Sequence, residues 1–219
     1  VACDNFTWIN GINYNQSNFN DSDTLINSDG CDSIVFLFLE ILPIPQFSYQ
    51  QNNVLCNGQS NASIDLTISS LNIESIIWSN GETSEDIDSL SSGTYSVLIT
   101  DSNSCSSNTS FTVTEPDLLI TSIFYNDLLC FNDSSGYIDL TVTGGSSNYN
   151  YLWSNGSTNE DLNNLSSGYY YVNILDDNNC FVFDSITISQ PNVLSFNSSE
   201  NNVLCYGDSS GSILINVSG

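Results

Sequence analysis

Leu90-Ser91-Ser92-Gly93-Thr94-Tyr95-Ser96-Val97 returns 75 residues later as Leu165-Ser166-Ser167-Gly168-Tyr169-Tyr170-Tyr171-Val172. A Leu-x-x-Gly-x-Tyr-x-Val element met twice at a fixed distance marks a repeated unit, and its alternation of apolar and polar side chains marks a strand. The Leu-x-x-Gly-x-Tyr portion has the form of a tyrosine corner, in which the hydroxyl of Tyr95 or Tyr170 bonds back to upstream backbone where the chain crosses between two sheets. Trp78 and Trp153, Asp86 and Asp161, Gly93 and Gly168, Cys105 and Cys180, and Pro116 and Pro191 keep the same step of 75. Cys130 to Cys205 is 75 as well, but Cys56 to Cys130 is 74. A one-residue slip therefore lies between Cys56 and Trp78, and Ile68-Ser69-Ser70-Leu71 facing Val142-Thr143-Gly144-Gly145 is its expected place. A period this long is a repeated domain, since solenoid turns repeat every 20 to 50 residues or so.

Around this element each copy spells out the rest of a β domain. Ile64, Leu66 and Ile68, and then Ile138, Leu140 and Val142, alternate as a strand with one face buried. The Trp strand runs into Ser79-Asn80-Gly81 or Ser154-Asn155-Gly156, and Asn-Gly is the strongest short hairpin signal. Phe111 and Val113, or Ile186 and Ile188, form the last strand, and Glu115-Pro116 or Gln190-Pro191 closes the copy. Six or seven short strands with a turn every 8 to 12 residues or so and a central Trp read as an Ig-like sandwich, with Trp78, Trp153, Tyr95 and Tyr170 in or beside the core. The boundaries expected are a short Cys-stapled β module over 1–43, full copies over 44–118 and 119–193, and the start of a further, truncated copy over 194–219. In the first module, Thr24-Leu25-Ile26 and Ile34 to Leu39 read as strands joined by Ser28-Asp29-Gly30. The short, Pro-containing linkers favour an elongated, semi-rigid rod of all-β domains.

Composition narrows function. The chain has 25 acidic residues and no Lys, Arg or His, where ordinary usage would supply roughly two dozen basic residues. Nothing in it neutralises phosphate, which argues against nucleic acid and against anionic membranes as partners. The negative field suits cations, neutral glycans or cationic surfaces. Triads, Schiff bases and arginine clamps are ruled out, so the chain is read as no enzyme. The adjacent pairs Glu85-Asp86 and Glu160-Asp161 could suggest glycosidase carboxylates, but neighbours on a strand point to opposite faces and do not converge.

Seven cysteines fall at 3, 31, 56, 105, 130, 180 and 205. Without His or CxxC spacing they read as disulfides and not as a zinc site, and disulfides imply an oxidising, extracellular setting. The simplest pairing staples each unit to itself: Cys3–Cys31, Cys56–Cys105 and Cys130–Cys180. Each of the two larger loops would contribute about 4 kcal/mol in the chain-entropy model. Cys205 is left over, its partner expected beyond Gly219.

The ordered set Cys, Trp-Ser-Asn-Gly, Asp-Ile/Leu, Leu-x-x-Gly-x-Tyr-x-Val, Asp-x-Asn-x-Cys and Glu/Gln-Pro resembles the SprB-type repeat over about residues 51–219, with the third copy restarting at Cys205-Tyr206-Gly207-Asp208. The first module, with Cys3-Asp4-x-Phe6-x-Trp8 and Gly30-Cys31-Asp32-Ser33, resembles another short repeat of giant surface proteins. The resemblance implies the very large cell-surface adhesins and gliding-motility proteins of the Bacteroidota, export by the type 9 secretion route, and a stalk or filament-forming role with self-association or surface glycans as partners. Unlike what is expected of that family, this chain has no Lys, Arg or His. The alternative reading is a set of glycan-binding accessory modules on a secreted polysaccharide-degrading protein.

Several residues carry a functional and a structural reading together. Asp101 and Asn103, and Asp176, Asp177 and Asn178, offer oxygen ligands for Ca²⁺ as a cofactor, but also suit a polar β-turn. Diffuse screening of the acidic surface competes with any dedicated calcium site. Trp78 and Trp153 could stack on sugars but fit the core better. Tyr169, Tyr171 and Tyr149 are the exposed candidates for glycan contact, although the first copy has Thr94 and Ser96 opposite Tyr169 and Tyr171. Asp-Ser/Thr-aliphatic triplets at Thr24, Ser33, Ser89 and Ser185 resemble the O-glycosylation signal of Bacteroidota.

Overall fold

A computed structural model describes residues 1–219, and every regular element in it is a strand. The chain divides into two compact units, Val1–Glu115 and Pro116–Gly219. Each is described by itself.

The first unit opens with six short strands, β1 (Ala2–Cys3), β2 (Phe6–Thr7), β3 (Asn13–Tyr14), β4 (Ser22–Ile26), β5 (Asp32–Phe36) and β6 (Ile41–Leu42). β4 and β5 form the hairpin expected around Asp29-Gly30, and β1 lies parallel to β6. The core of this module is small: Trp8, Leu37 and Leu39 are buried, with Ala2, Tyr14, Val35 and Ile41 packed against them. A β module this size buries too little apolar surface to stand without an added staple.

The first full copy follows with β7 (Phe47–Asn52), β8 (Ala62–Ile68), β9 (Ile73–Trp78), β10 (Ile87–Leu90), β11 (Gly93–Asp101) and β12 (Ser106–Val113). Its strands form two three-stranded sheets, ordered β10-β8-β7 and β12-β11-β9. In copy order, the fourth, second and first strands make one sheet and the sixth, fifth and third make the other, which is an Ig-like sandwich. Alternation sends Ala62, Ile64 and Leu66 from one sheet and Val97 and Ile99 from the other into a common core around Trp78.

In the second unit β13 (Ile120–Asn126), β14 (Gly136–Thr143), β15 (Asn150–Trp153), β16 (Leu162–Leu165), β17 (Gly168–Leu175) and β18 (Phe181–Ile188) repeat the plan, with sheets β13-β14-β16 and β15-β17-β18. The register repeats as well: Gly93 faces Val113 and Gly168 faces Ile188. β19 (Ser195–Asn201) and β20 (Ser212–Ser218) pair as the opening hairpin of a third copy. The slip falls in the β8–β9 and β14–β15 connections, as expected. Asn72 takes a left-handed conformation in the first copy, and Gly144 and Gly145 do so in the second. Gly144 also lies so close to the Leu118 carbonyl that a Cβ would sit 1.9 Å from its oxygen.

The disulfide pairing differs from the expectation. Cys3 is bonded to Cys105, with Cα atoms 5.5 Å apart, and not to Cys31. Cys31, Cys130 and Cys205 carry exposed free thiols, which removes Cys3–Cys31, Cys56–Cys105 and Cys130–Cys180. Cys56 and Cys180 are disulfide-bonded too.

The reason is geometric. Cys105 immediately precedes β12, at the upstream pole of its sandwich, where the chain comes in through Pro43 to Pro45 beside Asp101 and Asn103. Cys56 lies at the downstream pole, in a turn whose Val54 and Gly58 amides donate to the Thr114 carbonyl and the Glu115 carboxylate. The eight residues of β12 separate the poles by roughly 26 Å, far beyond the Cα separation a disulfide spans. In the second copy Leu128 and Asn132 donate to Ser189 and Gln190 past the end of β18, so Cys130 is likewise a strand's length from Cys180. Cys31 sits at the tip of the β4–β5 hairpin, tied to Asn27, while Cys3 lies on β1 at the other end of that strand pair.

Candidate functional site

The repeated polar residues are held by hydrogen bonds within the fold. Trp78 and Trp153 are each 2% exposed, and their indole N–H groups donate to the Ser84 and Asn159 carbonyls at 2.9 Å. They are core residues, closed to sugars. Tyr95 and Tyr170 donate their hydroxyls to the carbonyls of Ser91 and Ser166, four residues upstream, so both tyrosine corners form.

The acidic pairs finish a sheet edge. β10 pairs with β8 only around Ile64–Ile87 and Ala62–Leu90, with a bulge between. Past that point the β8 amides on this edge need other acceptors. Asp86 accepts from Leu66 and Glu85 from Ile68 in the first copy, and Asp161 accepts from Leu140 in the second. Glu160 instead receives the phenol of Tyr151, whose pKa is pushed up to about 12 by burial first and by this carboxylate second.

The candidate calcium turns close on themselves. Asp101 accepts the amides of Asn103 and Cys105 on one oxygen, and Asp176 accepts those of Asn178 and Cys180 in the same way. The other Asp176 oxygen takes the Ser146 amide at 2.8 Å, and the residue is 1% exposed. Asp177 accepts from the Asn148 amide group, and Asn178 donates to the Ser146 hydroxyl. No three carboxylates gather around a common point. The Asp-x-Asn-x-Cys motif is thus a self-bonded turn that fixes the cysteine, with Ser104 or Asn179 in the left-handed conformation just before it.

The remaining candidates are surface residues. Thr24 and Ser33 lie on the exposed β4–β5 hairpin, Ser89 is exposed at the β10 bulge, and the half-buried Ser185 is opposite Tyr171 on β18. Tyr169 and Tyr171 are exposed, as expected, but Tyr149 is half-buried with its hydroxyl spent on the Gly144 carbonyl. Phe181 and Phe183 are exposed on the neighbouring strand β18, Phe183 with its ring against Tyr171 and Phe181 opposite Leu175. Sequence reasoning missed these two because the first copy has Ser106 and Asn108 at their positions.

What remains as a distinctive chemical feature is the Cys3–Cys105 clasp. It joins the small first module to the upstream pole of the following copy, which that copy's own first cysteine, Cys56, cannot reach.

The SprB repeat family matches the chain at residues 48–72, 123–158 and 197–219. The chain carries SprB repeats. The matched stretches begin within β7, β13 and β19: the first two start on the first strand of a sandwich and the third on the first strand of the β19–β20 hairpin. None of the curated proteins is similar to the chain in sequence. Among solved structures it is similar to the N-terminal eight Ig domains of Down Syndrome Cell Adhesion Molecule isoform 1.30.30 (11% identity, TM-score 0.42, covering 86% of this chain and 31% of that one). It is similar also to murine CEACAM1b (12% identity, TM-score 0.33, 65% and 98% covered) and to the N-terminal four Ig domains of Dscam1 isoform 6.44 (11% identity, TM-score 0.33, 84% and 63% covered). The chain thus spans about a third of the length of the eight-domain fragment. The Ig-like character of the SprB copies follows from their own strand order. No helix is long and apolar enough to cross a membrane.

Proposed function

We propose that this chain is a non-catalytic segment of a cell-surface protein, a stalk or adhesin built from SprB repeats. One observation carries the reading: Cys3–Cys105 ties one module to the next and leaves neither closed on itself. A bond placed between modules resists their separation, which is what a segment under load requires. The repeated acidic side chains support the same view, because they serve backbone amides and turns in both copies. The uniform negative charge keeps such a surface soluble and steers it toward cationic or neutral partners.

Antibodies against the chain should label intact, unpermeabilised producing cells. Cells carrying Cys3→Ser should release from a surface at lower shear than the parent while binding equally well without flow. Labelling only after permeabilisation, or an unchanged release threshold in the variant, would overturn the proposal.

A further inference from the structure

The β15-β17-β18 sheet of the second copy buries one face through Trp153, Val172 and Ile174 and leaves the other open. Strand alternation places Tyr169, Tyr171 and Asn173 of β17, Phe181 and Phe183 of β18, and Leu152 of β15 on the open face. The ring centroids of Tyr169 and Tyr171 are 6.1 Å apart, and those of Tyr171 and Phe183 are 5.9 Å apart. Three rings therefore run without a break across two strands, and Phe181, 60% exposed, stands on the same strand as the last of them.

The first copy shows that the fold does not need these rings. At the four equivalent positions of its β12-β11-β9 sheet it has Thr94, Ser96, Ser106 and Asn108, and its strands keep the same register. Four exchanges from polar to aromatic at solvent-facing positions add nothing to the core. An exposed apolar patch of this kind marks an interaction surface.

Charge selects the occupant. The chain carries 25 acidic residues and no cation, yet the open face has none of them. The nearest acid on β18, Asp184, points inward and accepts the Thr121 hydroxyl. A second copy, or an anionic polysaccharide, would bring like charge with no basic residue to offset it. A cationic partner would find its carboxylates elsewhere on the chain. A neutral glycan meets no opposing charge, lays the C–H faces of its sugar rings on Tyr and Phe, and finds Asn173, Ser185 and Thr187 to bond its hydroxyls. We infer that the outer β15-β17-β18 face of the second SprB copy binds a neutral glycan, a function the first copy does not share. The glycan is a ligand that the proposed surface module would present outward.

The test uses the 219-residue chain on an array of neutral glucans, mannans and chitin oligosaccharides beside uronate- and sulfate-bearing glycans, followed by calorimetry on whatever binds. The double variant Tyr171→Ser with Phe183→Asn places the first copy's residues in the second, so the sandwich should still form, which thermal melting verifies. The expected result is retention of a neutral glycan by the parent and at least a tenfold weaker affinity in the double variant. Ser96→Tyr with Asn108→Phe should give the first copy measurable binding when the second carries the double variant. Any of four results would overturn the inference: no neutral glycan is bound, anionic glycans are preferred, affinity is indifferent to the double variant, or the parent sediments as a dimer that the double variant separates. Failure here is distinguishable from failure of the surface-module reading, since surface labelling and the Cys3–Cys105 bond would be unaffected.

Discussion

Replacing Cys3 by Ser should weaken the first unit far more than replacing Cys31. The native bond joins residues 102 apart in sequence. In the chain-entropy model, releasing a loop of that length costs about 4.7 kcal/mol at 25 °C. The module holding Cys3 has little to set against this loss, because only Trp8, Leu37 and Leu39 are buried in it. Its unfolding can be followed separately through Trp8, which is buried now and would be wet in the released module. Cys31 is an exposed free thiol at a hairpin tip, and Cys31→Ser should change stability by no more than about 0.5 kcal/mol, as for other surface changes. Had Cys3 paired with Cys31, both substitutions would open the same loop of about 28 residues and each would cost about 3.6 kcal/mol. Guanidinium unfolding of the two variants, read by tryptophan fluorescence, separates the cases. Equal losses in the two variants, or no loss in Cys3→Ser, would refute the reasoning.

Further outcomes follow from the hydrogen bonds. Tyr170→Phe removes the bond to the Ser166 carbonyl and should cost about 1 kcal/mol in denaturant unfolding, with Tyr95→Phe costing the same in the first copy. Asp176→Ala strands the amides of Ser146, Asn178 and Cys180 in a buried site and should cost about 3 kcal/mol or more, whereas Asp101→Ala frees two amides and should cost less. Because those carboxylates are occupied by amides, Ca²⁺ and Mg²⁺ should raise the melting temperature alike, through screening alone; a specific calcium effect lost in Asp176→Ala would contradict this. The phenol of Tyr151 has a folded-state pKa near 12, above its ordinary 10.0. Its contribution is therefore fully present below pH 10 or so and lost as pH rises toward 12. The alkaline unfolding midpoint should rise in Tyr151→Phe, which has no proton to lose.

Most of the sandwich was legible because its determinants are local and occur twice. The Asn-Gly turns, the alternation of Ile64-x-Leu66 and Ile138-x-Leu140, the tyrosine corners and the buried Trp78 and Trp153 each depend on a few neighbouring residues. The disulfides were not legible, because pairing depends on which pole each cysteine reaches. Four strands separate Cys56 from Cys105, and a simple up-and-down meander would return both to one end. In the structure β9 and β10 run in the same direction, since β9 is antiparallel to β11 and β10 to β8, and residues 79–86 carry the chain back between them. That reversal moves Cys105 to the other pole. The roles of Glu85 and Asp86 were hidden for a related reason, as their partners, Ile68 and Leu66, lie across a bulge that no spacing announces. The aromatic face was half visible: Tyr169 and Tyr171 stood out in one strand, but Phe181 and Phe183 join them only once β17 and β18 are paired.

The central claim, that a disulfide clasps one module to the next, is tested most directly by mapping the cysteines of the oxidised chain. The protein should be alkylated under denaturing, non-reducing conditions and cleaved with a protease acting after Glu or aromatic residues, since it offers trypsin no Lys or Arg. Mass spectrometry should find label on Cys31, Cys130 and Cys205, and a cross-linked peptide pair containing Cys3 and Cys105. A Cys3–Cys31 or Cys56–Cys105 peptide, or label on Cys205 alone, would contradict the clasp and restore modules stapled each to itself.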